Sequence, residues 1–410
     1  MKLDNIKQIT KWRLCCGCGV CLYICPKSNI ELKDIESDGI RPSIIQPDLC
    51  QDCNDCLQVC SGLSSPNHPF ALCKKEEQRW GPILEIWEGC ASSENLRWLG
   101  SSGGIATALS IFLLNSEQYT GVLHTAPDPN IPWKNIAQFS QNAEELLSSK
   151  GSRYSPSSPC MRLQDIESAS NSSIFIGKGC DIQALRKAET LRPELKAKIG
   201  IAIGIFCAGT PSTQGTLDLL ITHEIHPKDV REIRYRGQGW PGQFTVSFKD
   251  PSMPRLQLSY ETAWGFLQKY RPYRCHLCPD GTAELADISC GDAWYKRGTE
   301  NNKGLSLVVV RTRRGQKILR SAMNAGYLNL KKVSIKALEL SQPNLLNKKR
   351  AIWGRLLAFK TLGIPAPTFP TYMLYQNWQE LGQGEKLRSF FGTIKRIIQR
   401  RYYLPRKQPW

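Results

Sequence analysis

The feature that most limits how this chain can fold is a pair of cysteine runs near its start. The first run has the spacing Cys15-x2-Cys18-x2-Cys21-x3-Cys25, and the second repeats these intervals at Cys50, Cys53, Cys56 and Cys60. Three cysteines at two-residue intervals let one tight loop hold three irons of a [4Fe-4S] cluster, and the fourth cysteine ligates the neighbouring cluster. The spacing therefore predicts two clusters that exchange ligands.

The predicted ligand sets follow from that exchange. One cluster is held by Cys15, Cys18, Cys21 and Cys60, and the other by Cys50, Cys53, Cys56 and Cys25. Between the runs, residues 30–45 alternate on either side of an SDG turn and predict a hairpin. Zinc favours two separated CxxC pairs, which these complete runs are not. We predict that residues 1–62 form a bacterial-type two-cluster ferredoxin domain, with Cys16, which is out of phase, as a spare thiol.

Length and cysteine usage limit the class of protein. The chain has 410 residues and 17 cysteines, enough for two or three domains and too large for a small disulfide scaffold, so clustered cysteines indicate metal or redox groups. The N-terminus lacks the pattern of a secretory signal. The longest apolar run, around 104–114, is too short to span a bilayer. We expect a cytoplasmic protein.

Beyond the cysteine runs, the pattern predicts a large α/β unit. A Pro- and Ser-containing linker is expected at 63–81, followed by this unit at 82–335 and by a helical extension at 336–410. Residues 172–188, 199–221 and 305–326 each read as a buried strand followed by a helix, whereas 231–260 reads as short antiparallel strands. The expected fold class is α+β or α/β: a ferredoxin domain followed by a larger α/β domain.

The last residues form a basic amphipathic tail. Residues 385–410 contain eight Lys or Arg and one acid, within a net charge of +18 for the chain, and their apolar residues recur at helical spacing. Such a helix either lies on an anionic membrane surface or packs its apolar face on the body of the protein. No nucleic-acid-binding signature accompanies the charge, so we expect no nucleic-acid partner.

A series of short motifs carries a family resemblance. In order they are SGG at 102–104, GSRY at 151–154, GKGCDIQALRK at 177–187, GIFCAG at 204–209, RGQGWPG at 236–242 and RCHLCPD…ADISCGDAW at 274–294. From about residue 12 to 370 the chain resembles the coenzyme F420 hydrogenase/dehydrogenase beta-subunit family, in the form with an N-terminal two-cluster ferredoxin domain.

The resemblance implies a flavin, FAD, in the large domain. It assigns the flavin pocket to Ser102, Gly103, Gly104, Thr107, Lys150, Gly151, Ser152, Arg153 and Tyr154. Lys150 and Arg153 are plausible phosphate partners. A flavin takes a hydride as two electrons and releases them singly, which links a hydride carrier to a one-electron relay.

Four further cysteines predict a third cluster. Cys180 stands where a strand meets a helix, and Cys207 ends the next strand. The ends of neighbouring parallel strands meet at one sheet edge, where open α/β sheets bind ligands. Cys275 and Cys278 complete a set of four. The alternative is that Cys180 and Cys207 are small buried thiols, and that the CxxC pair is redox-active or binds zinc.

The expected function is an iron–sulfur flavoprotein oxidoreductase. Electrons pass between the clusters, a flavin and a reducible small molecule, either coenzyme F420 or another substrate, and a redox partner protein or a small electron donor completes the path. The alternative is a non-catalytic electron-transfer subunit that feeds a partner enzyme, possibly in polysaccharide biosynthesis. No Ser/His/Asp array or paired carboxylates stand out, so no catalytic residue is assigned.

Overall fold

A large mixed sheet is the centre of the fold. The computed structural model describes residues 3–50, 53–69, 72, 74–149, 151–297 and 303–406. The strands are β1 (Ile30–Ile35), β2 (Gly39–Ile44), β3 (Glu85–Ala91), β4 (Tyr119–Pro127), β5 (Asn135–Ser140), β6 (Ser172–Lys178), β7 (Ile199–Ile205), β8 (Val230–Arg234), β9 (Gln243–Phe248), β10 (Leu256–Ser259), β11 (Ile288–Asp292), β12 (Ser306–Val310) and β13 (Leu328–Lys332).

Helices cover both faces of this sheet and form the C-terminal extension. They are α1 (Ile6–Lys11), α2 (Val20–Ile24), α3 (Asp55–Gln58), α4 (Lys75–Trp80), α5 (Glu94–Leu99), α6 (Ile105–Leu114), α7 (Ala143–Ser148), α8 (Leu163–Glu167), α9 (Gly179–Leu191), α10 (Pro193–Lys198), α11 (Thr213–Thr222), α12 (Tyr260–Leu267), α13 (Tyr273–His276), α14 (Arg313–Asn324), α15 (Ile335–Ser341), α16 (Pro343–Thr361), α17 (Leu374–Gln379) and α18 (Gln383–Gln399).

The main sheet has eight strands in the order β13-β3-β12-β11-β7-β6-β4-β5. Its centre, β4-β6-β7-β11, is parallel, and the flanking strands pair antiparallel. Strands β6 and β7 are continuous apolar runs because both of their faces are covered. Phe175 points into one buried cluster and Ile174 into the other. The α/β prediction is confirmed.

The predicted local elements compare well with the structure. The strand–helix pairs at 172–188 and 199–221 are β6–α9 and β7–α11, and the pair at 305–326 is β12–α14. However, β12 runs antiparallel to both of its neighbours. The hairpin between the cysteine runs is β1–β2, and 231–260 contains the antiparallel sheet β10-β9-β8.

The first 62 residues are bonded to the large unit along their length. The backbone N–H of Cys160 donates to the carbonyl of Cys18 at 3.0 Å, and the hydroxyl of Ser158 donates to the carbonyl of Gly17 at 2.6 Å. At the hairpin, Thr213 donates to the Asp34 carboxylate at 2.7 Å. The first cysteine run is thereby held against the segment before α8, and Lys187 on α9 donates to the carbonyl of Cys60, at the end of the second run, at 3.0 Å.

Within the segment predicted as a linker, the described residues include a bridge and a helix and pair with the C-terminal extension. Ser64 forms a β-bridge with Thr368, and the His68 ring lies 2.8 Å from the Thr371 hydroxyl. Helix α4 follows within the same segment. The two segments that flank the large unit are therefore joined to each other.

The basic tail forms α18, and one face of it packs on α16. Ile397 on this face is fully buried. On the opposite face Leu387, Phe391 and Ile398 are each more than half exposed. The tail therefore packs on the rest of the protein, which is one of the two alternatives expected for it. A second row of apolar side chains on α18 is exposed. Within the described residues, no helix has the length and hydropathy needed to cross a membrane.

Candidate functional site

The cysteines of the second run lie beside the last cysteine of the first run. The backbone N–H of Asn29 lies 3.3 Å from the Sγ of Cys25, and its side-chain amide lies 3.4 Å from the Sγ of Cys50. Burial raises the pKa of Cys56 to about 11, with further contributions from Cys53, Cys25 and Cys50. One asparagine therefore donates to a thiol from each run, which places Cys25 close to Cys50; the ligand exchange itself stays a prediction.

The other predicted set is similarly grouped. Burial, followed by the neighbouring Cys18, Cys15 and Cys60, raises the pKa of Cys21. The backbone N–H of Gly17 lies 3.4 Å from the Sγ of Cys15. Gly17 has φ +72°, and a Cβ there would lie 3.0 Å from the carbonyl oxygen of Ile40, so the tight loop requires glycine. N–H groups directed at sulfur suit thiolates that ligate iron.

The inner four cysteines line one cavity. Cys180 is the second residue of α9, and Cys207 follows β7, so both lie at the carboxyl edge of the parallel strands. Cys275 lies on α13, and Cys278 follows it closely. All four line a cavity of about 60 Å³. The placement is the one expected from the strand order, and the ligand assignment itself stays a prediction.

Cys16 lies in the same cavity, although the spacing predicts only a spare thiol there. The cavity wall includes Cys15 and Cys16 from the first run. Contact with the Cys180 thiol lowers the pKa of Cys16 to about 6 and raises that of Cys180. In the described part of the chain, no three His, Cys, Asp or Glu side chains are close enough to hold a single metal ion. The thiols surround a space and do not converge on one point.

Arg274 supplies a buried positive charge at this cavity. Its side chain is 3% exposed and donates from Nη2 to the carbonyl of Ser61 at 3.0 Å, while Nε and Nη1 have no hydrogen-bond partner among the described residues. A buried guanidinium without a counter-charge costs several kcal/mol. Cys16 and Cys278, whose thiols can acquire negative charge, line the same cavity as Arg274. The donor set and the orphaned nitrogens both fit an anionic iron–sulfur cluster bound by thiolates.

A second, larger cavity of about 370 Å³ contains most of the predicted flavin residues. Seven of them line it, namely Ser102, Gly104, Thr107, Gly151, Ser152, Arg153 and Tyr154. Its volume is within the range of small-molecule sites, roughly 300–1,000 Å³. Lys150 lies outside the described residues. The cavity opens at the N-terminus of α6, where free backbone N–H groups favour an anion.

Two of the predicted flavin residues have structural contacts in place of the expected ones. Gly103 does not line the cavity; its N–H donates to Ser306 Oγ at 2.9 Å, and a Cβ there would lie 2.5 Å from the carbonyl oxygen of Gly89. Arg153 donates to four acceptors, the side chain of Asn135 and the backbone carbonyls of residues 132, 134 and 233. Its guanidinium is thus committed to the protein, which disfavours the phosphate contact expected from the motif.

The larger cavity is also lined by Arg236, Asp292 and two aromatic side chains that the family resemblance did not assign to the flavin pocket. Arg236 donates to Asp292 at 2.7 and 3.0 Å, and the indole of Trp240 donates to the same carboxylate at 2.8 Å. Arg236 also lies over the rings of Tyr260 and Trp294. Both charged residues belong to quoted motifs, RGQGWPG and SCGDAW, and this was the available signal. The group forms a rigid aromatic and charged wall for a planar ligand.

The two cavities adjoin. Lys178 and Cys207 line both of them, and Lys178 is held by the buried carboxylate of Asp181 at 2.8 Å. Lys178 is the last residue of β6, and Asp181 lies in the first turn of α9. The strand–helix turn that carries Cys180 therefore also forms part of the wall that the two cavities share.

Comparison with known proteins agrees with this arrangement. The chain has an α/β unit with thiols and a ligand-sized cavity at the carboxyl edge of its parallel strands, an arrangement that suits a redox protein. Residues 86–164 match the N-terminal family model of the coenzyme F420 hydrogenase/dehydrogenase beta subunit, and residues 171–336 match the C-terminal one. The chain belongs to the coenzyme F420 hydrogenase/dehydrogenase beta-subunit family, as its motifs predict.

Individual relatives are distant. A coenzyme F420-dependent sulfite reductase of Methanocaldococcus jannaschii is 22% identical over 80% of this chain but only 49% of its own length. The beta subunit of the coenzyme F420 hydrogenase of Methanococcus voltae is 28% identical over 68% of this chain and 95% of its own. A subunit of the F(420)H(2) dehydrogenase of Methanosarcina mazei is 22% identical over 88% of this chain and 92% of its own.

A solved structure has the same fold. A chain in the F420-reducing [NiFe] hydrogenase complex from Methanosarcina barkeri superimposes with a TM-score of 0.53 at 21% identity, covering 74% of this chain and 98% of that chain. The named relatives are oxidoreductases or subunits of them, so the oxidoreductase prediction is confirmed at that level.

Proposed function

We propose that this chain is an iron–sulfur flavoprotein that passes electrons between a reduced coenzyme of the F420 type and a redox partner protein. The observation that supports this most directly is the shared wall between the thiol-lined cavity and the larger cavity, to which Lys178 and Cys207 contribute. One cavity suits a cluster and the other a planar cofactor, and adjacency is what electron transfer requires. The F420-dependent names of the relatives favour that coenzyme as the substrate.

The residues have distinct proposed roles. Cys15, Cys18, Cys21 and Cys60, and Cys25, Cys50, Cys53 and Cys56, hold two clusters, while Cys180, Cys207, Cys275 and Cys278 surround a third. FAD occupies the larger cavity and supplies the conversion of a hydride into single electrons. Arg236 and its aromatic neighbours position the ring. Lys178, paired with the carboxylate of Asp181, places a buried ion pair in the wall between the two sites.

The test is anaerobic purification followed by measurement of iron, sulfide and flavin. We expect about twelve irons per chain, one bound flavin, and bleaching of the flavin spectrum by F420H2. Thr107→Trp fills the larger cavity from α6 and abolishes flavin binding without loss of iron. Thr222→Trp, on the exposed end of α11, is the matched control and retains flavin. Protein with full iron but no flavin would refute the proposal.

The alternative, a non-catalytic electron-transfer subunit, is favoured by one observation, because several of the relatives are named as subunits. It predicts clusters that are reduced by a partner protein and no response to F420H2. The same preparation distinguishes the two, since only the enzyme oxidises F420H2 when an artificial electron acceptor replaces the partner.

A further inference from the structure

Cys16 belongs to the N-terminal run by sequence and to the inner cavity by position. Cys15, its neighbour, is assigned to the first N-terminal cluster, yet the cavity that holds Cys180, Cys207, Cys275 and Cys278 also has Cys16 on its wall. Cys15 borders the same cavity, but its side chain packs with Cys21 and Cys60 of the first N-terminal group. Of the two neighbours, Cys16 is therefore the thiol that remains for the inner group. Spacing within the run cannot reveal this, because the contact depends on how residues 1–62 dock.

The surroundings of Cys16 are those of a ligand. Cys16 lines the same cavity as Cys180 and the other three inner thiols. The segment is fixed on both sides, since Ser158 donates to the carbonyl of Gly17 and Ser61 donates to the Sγ of Cys18 at 3.7 Å. The sulfur is thus held among the inner thiols by a rigid backbone.

Arg274 is an independent indication that negative charge gathers at this spot. Its Nε and Nη1 are buried without a partner, and its side chain lines the same cavity. Cys16, Cys180 and Cys278 line the same cavity as this guanidinium. A guanidinium buried in this way needs an anion beside it.

We propose that Cys16 is a ligand of the inner [4Fe-4S] cluster, so that the peptide bond between Cys15 and Cys16 joins ligands of two clusters. The inference rests on the inner cluster of the proposed function. Ligation replaces the S–H bond of Cys16 with an S–Fe bond and releases the proton to solvent. Since the cube has four irons, one of the other four thiols is left free. Electrons then cross between the clusters through one dipeptide.

The test compares Cys16→Ser with wild-type protein and with Cys90→Ser, which changes a partly buried cysteine on β3 that lines neither cavity. In Cys16→Ser we expect either iron to fall from about twelve to about eight per chain, or the EPR g-values and midpoint potential of the inner cluster to shift. Cys90→Ser retains wild-type iron and spectra. The inference is overturned if Cys16→Ser keeps the full iron content and three unaltered EPR signals.

A second measurement on wild-type holoprotein covers the case in which Cys16→Ser does not fold. Iodoacetamide labelling and peptide mass spectrometry should find Cys16 protected until chelation removes the iron, while Cys90 labels in both states. Labelling of Cys16 in protein with about twelve irons would overturn the inference. Wild-type protein with only about eight irons would instead show that the inner cluster, and with it that part of the proposed function, is wrong.

Discussion

A buried ion pair joins Glu284, in the loop that follows Cys278, to Lys349 on α16, and its loss has a size that can be worked out. The ammonium of Lys349 lies 2.7 Å from Oε1 of Glu284, and both side chains are no more than 2% exposed. The ring of His68 lies 3.3 Å from Oε2 of the same carboxylate. Glu284→Gln removes the negative charge and leaves the Lys349 ammonium buried. Removing one partner of such a pair costs about 3–5 kcal/mol.

The expected change in melting temperature follows from the size of the protein. An unfolding entropy of about 2.1 cal/mol/K per residue over 410 residues gives about 0.9 kcal/mol/K. A loss of about 3–5 kcal/mol therefore lowers the melting temperature by about 3–6 °C. The double variant Glu284→Gln/Lys349→Met leaves no uncompensated charge and recovers most of this loss.

Differential scanning calorimetry on anaerobically prepared holoprotein provides the measurement. The matched control is Glu261→Gln, which breaks the exposed pair between Glu261 and Arg297 and should cost no more than about 1 kcal/mol. If Glu284→Gln melts with wild-type protein, or if the double variant is as unstable as the single one, the reasoning about an uncompensated buried charge is wrong.

Three further outcomes are expected. Gly103→Ala should lower both the flavin content and the melting temperature, because the new Cβ would lie 2.5 Å from a backbone oxygen. Gly265→Ala, whose Cβ would have no atom within 4 Å, should leave the melting temperature unchanged or raise it. Equal melting temperatures for the two variants in calorimetry would contradict this. Ile397→Ala, at a fully buried position, should cost about 2–5 kcal/mol, and Phe391→Ala, on the exposed face of α18, less than about 0.5 kcal/mol; chemical denaturation decides between them. Burial raises the pKa of Glu284, but Lys349 and His68 outweigh this effect and hold the pKa below its usual value. The stabilisation that Glu284 provides is therefore present above its unfolded-state pKa of about 4.3 and is lost as pH falls through the folded-state pKa. The difference in melting temperature between wild type and Glu284→Gln should therefore be constant at neutral pH and narrow only in acid.

What could be predicted from the sequence is mostly local. The hairpin β1–β2 depends on alternation around a turn, and β6–α9 on a short apolar run followed by a helical pattern. Both are encoded within about 20 residues and appear in the structure. Strand direction at the sheet flanks was not predictable in this way, because β12 pairs with β3 more than 200 residues earlier in the chain.

In the candidate site, too, local features could be predicted from the sequence and long-range contacts could not. Cys180 and Cys207 were expected at one edge because parallel neighbours end together, and both line the inner cavity. Cys16, by contrast, reaches that cavity only through the docking of the first 62 residues. The pairing of Arg236 with Asp292 joins residues 56 positions apart, and no periodicity reports such a contact. Single conspicuous residues were recognised, whereas their distant partners depend on tertiary packing.

The bridge between Ser64 and Thr368 limits how such proteins can be divided into independent fragments. A fragment that ends at residue 62 would lack this bridge and also the backbone hydrogen bond from Cys160 to the first cysteine run. It would not behave as an interchangeable small electron carrier. Exchanging the cysteine-rich N-terminal segment between members of the family should succeed only when the matching C-terminal segment is exchanged with it.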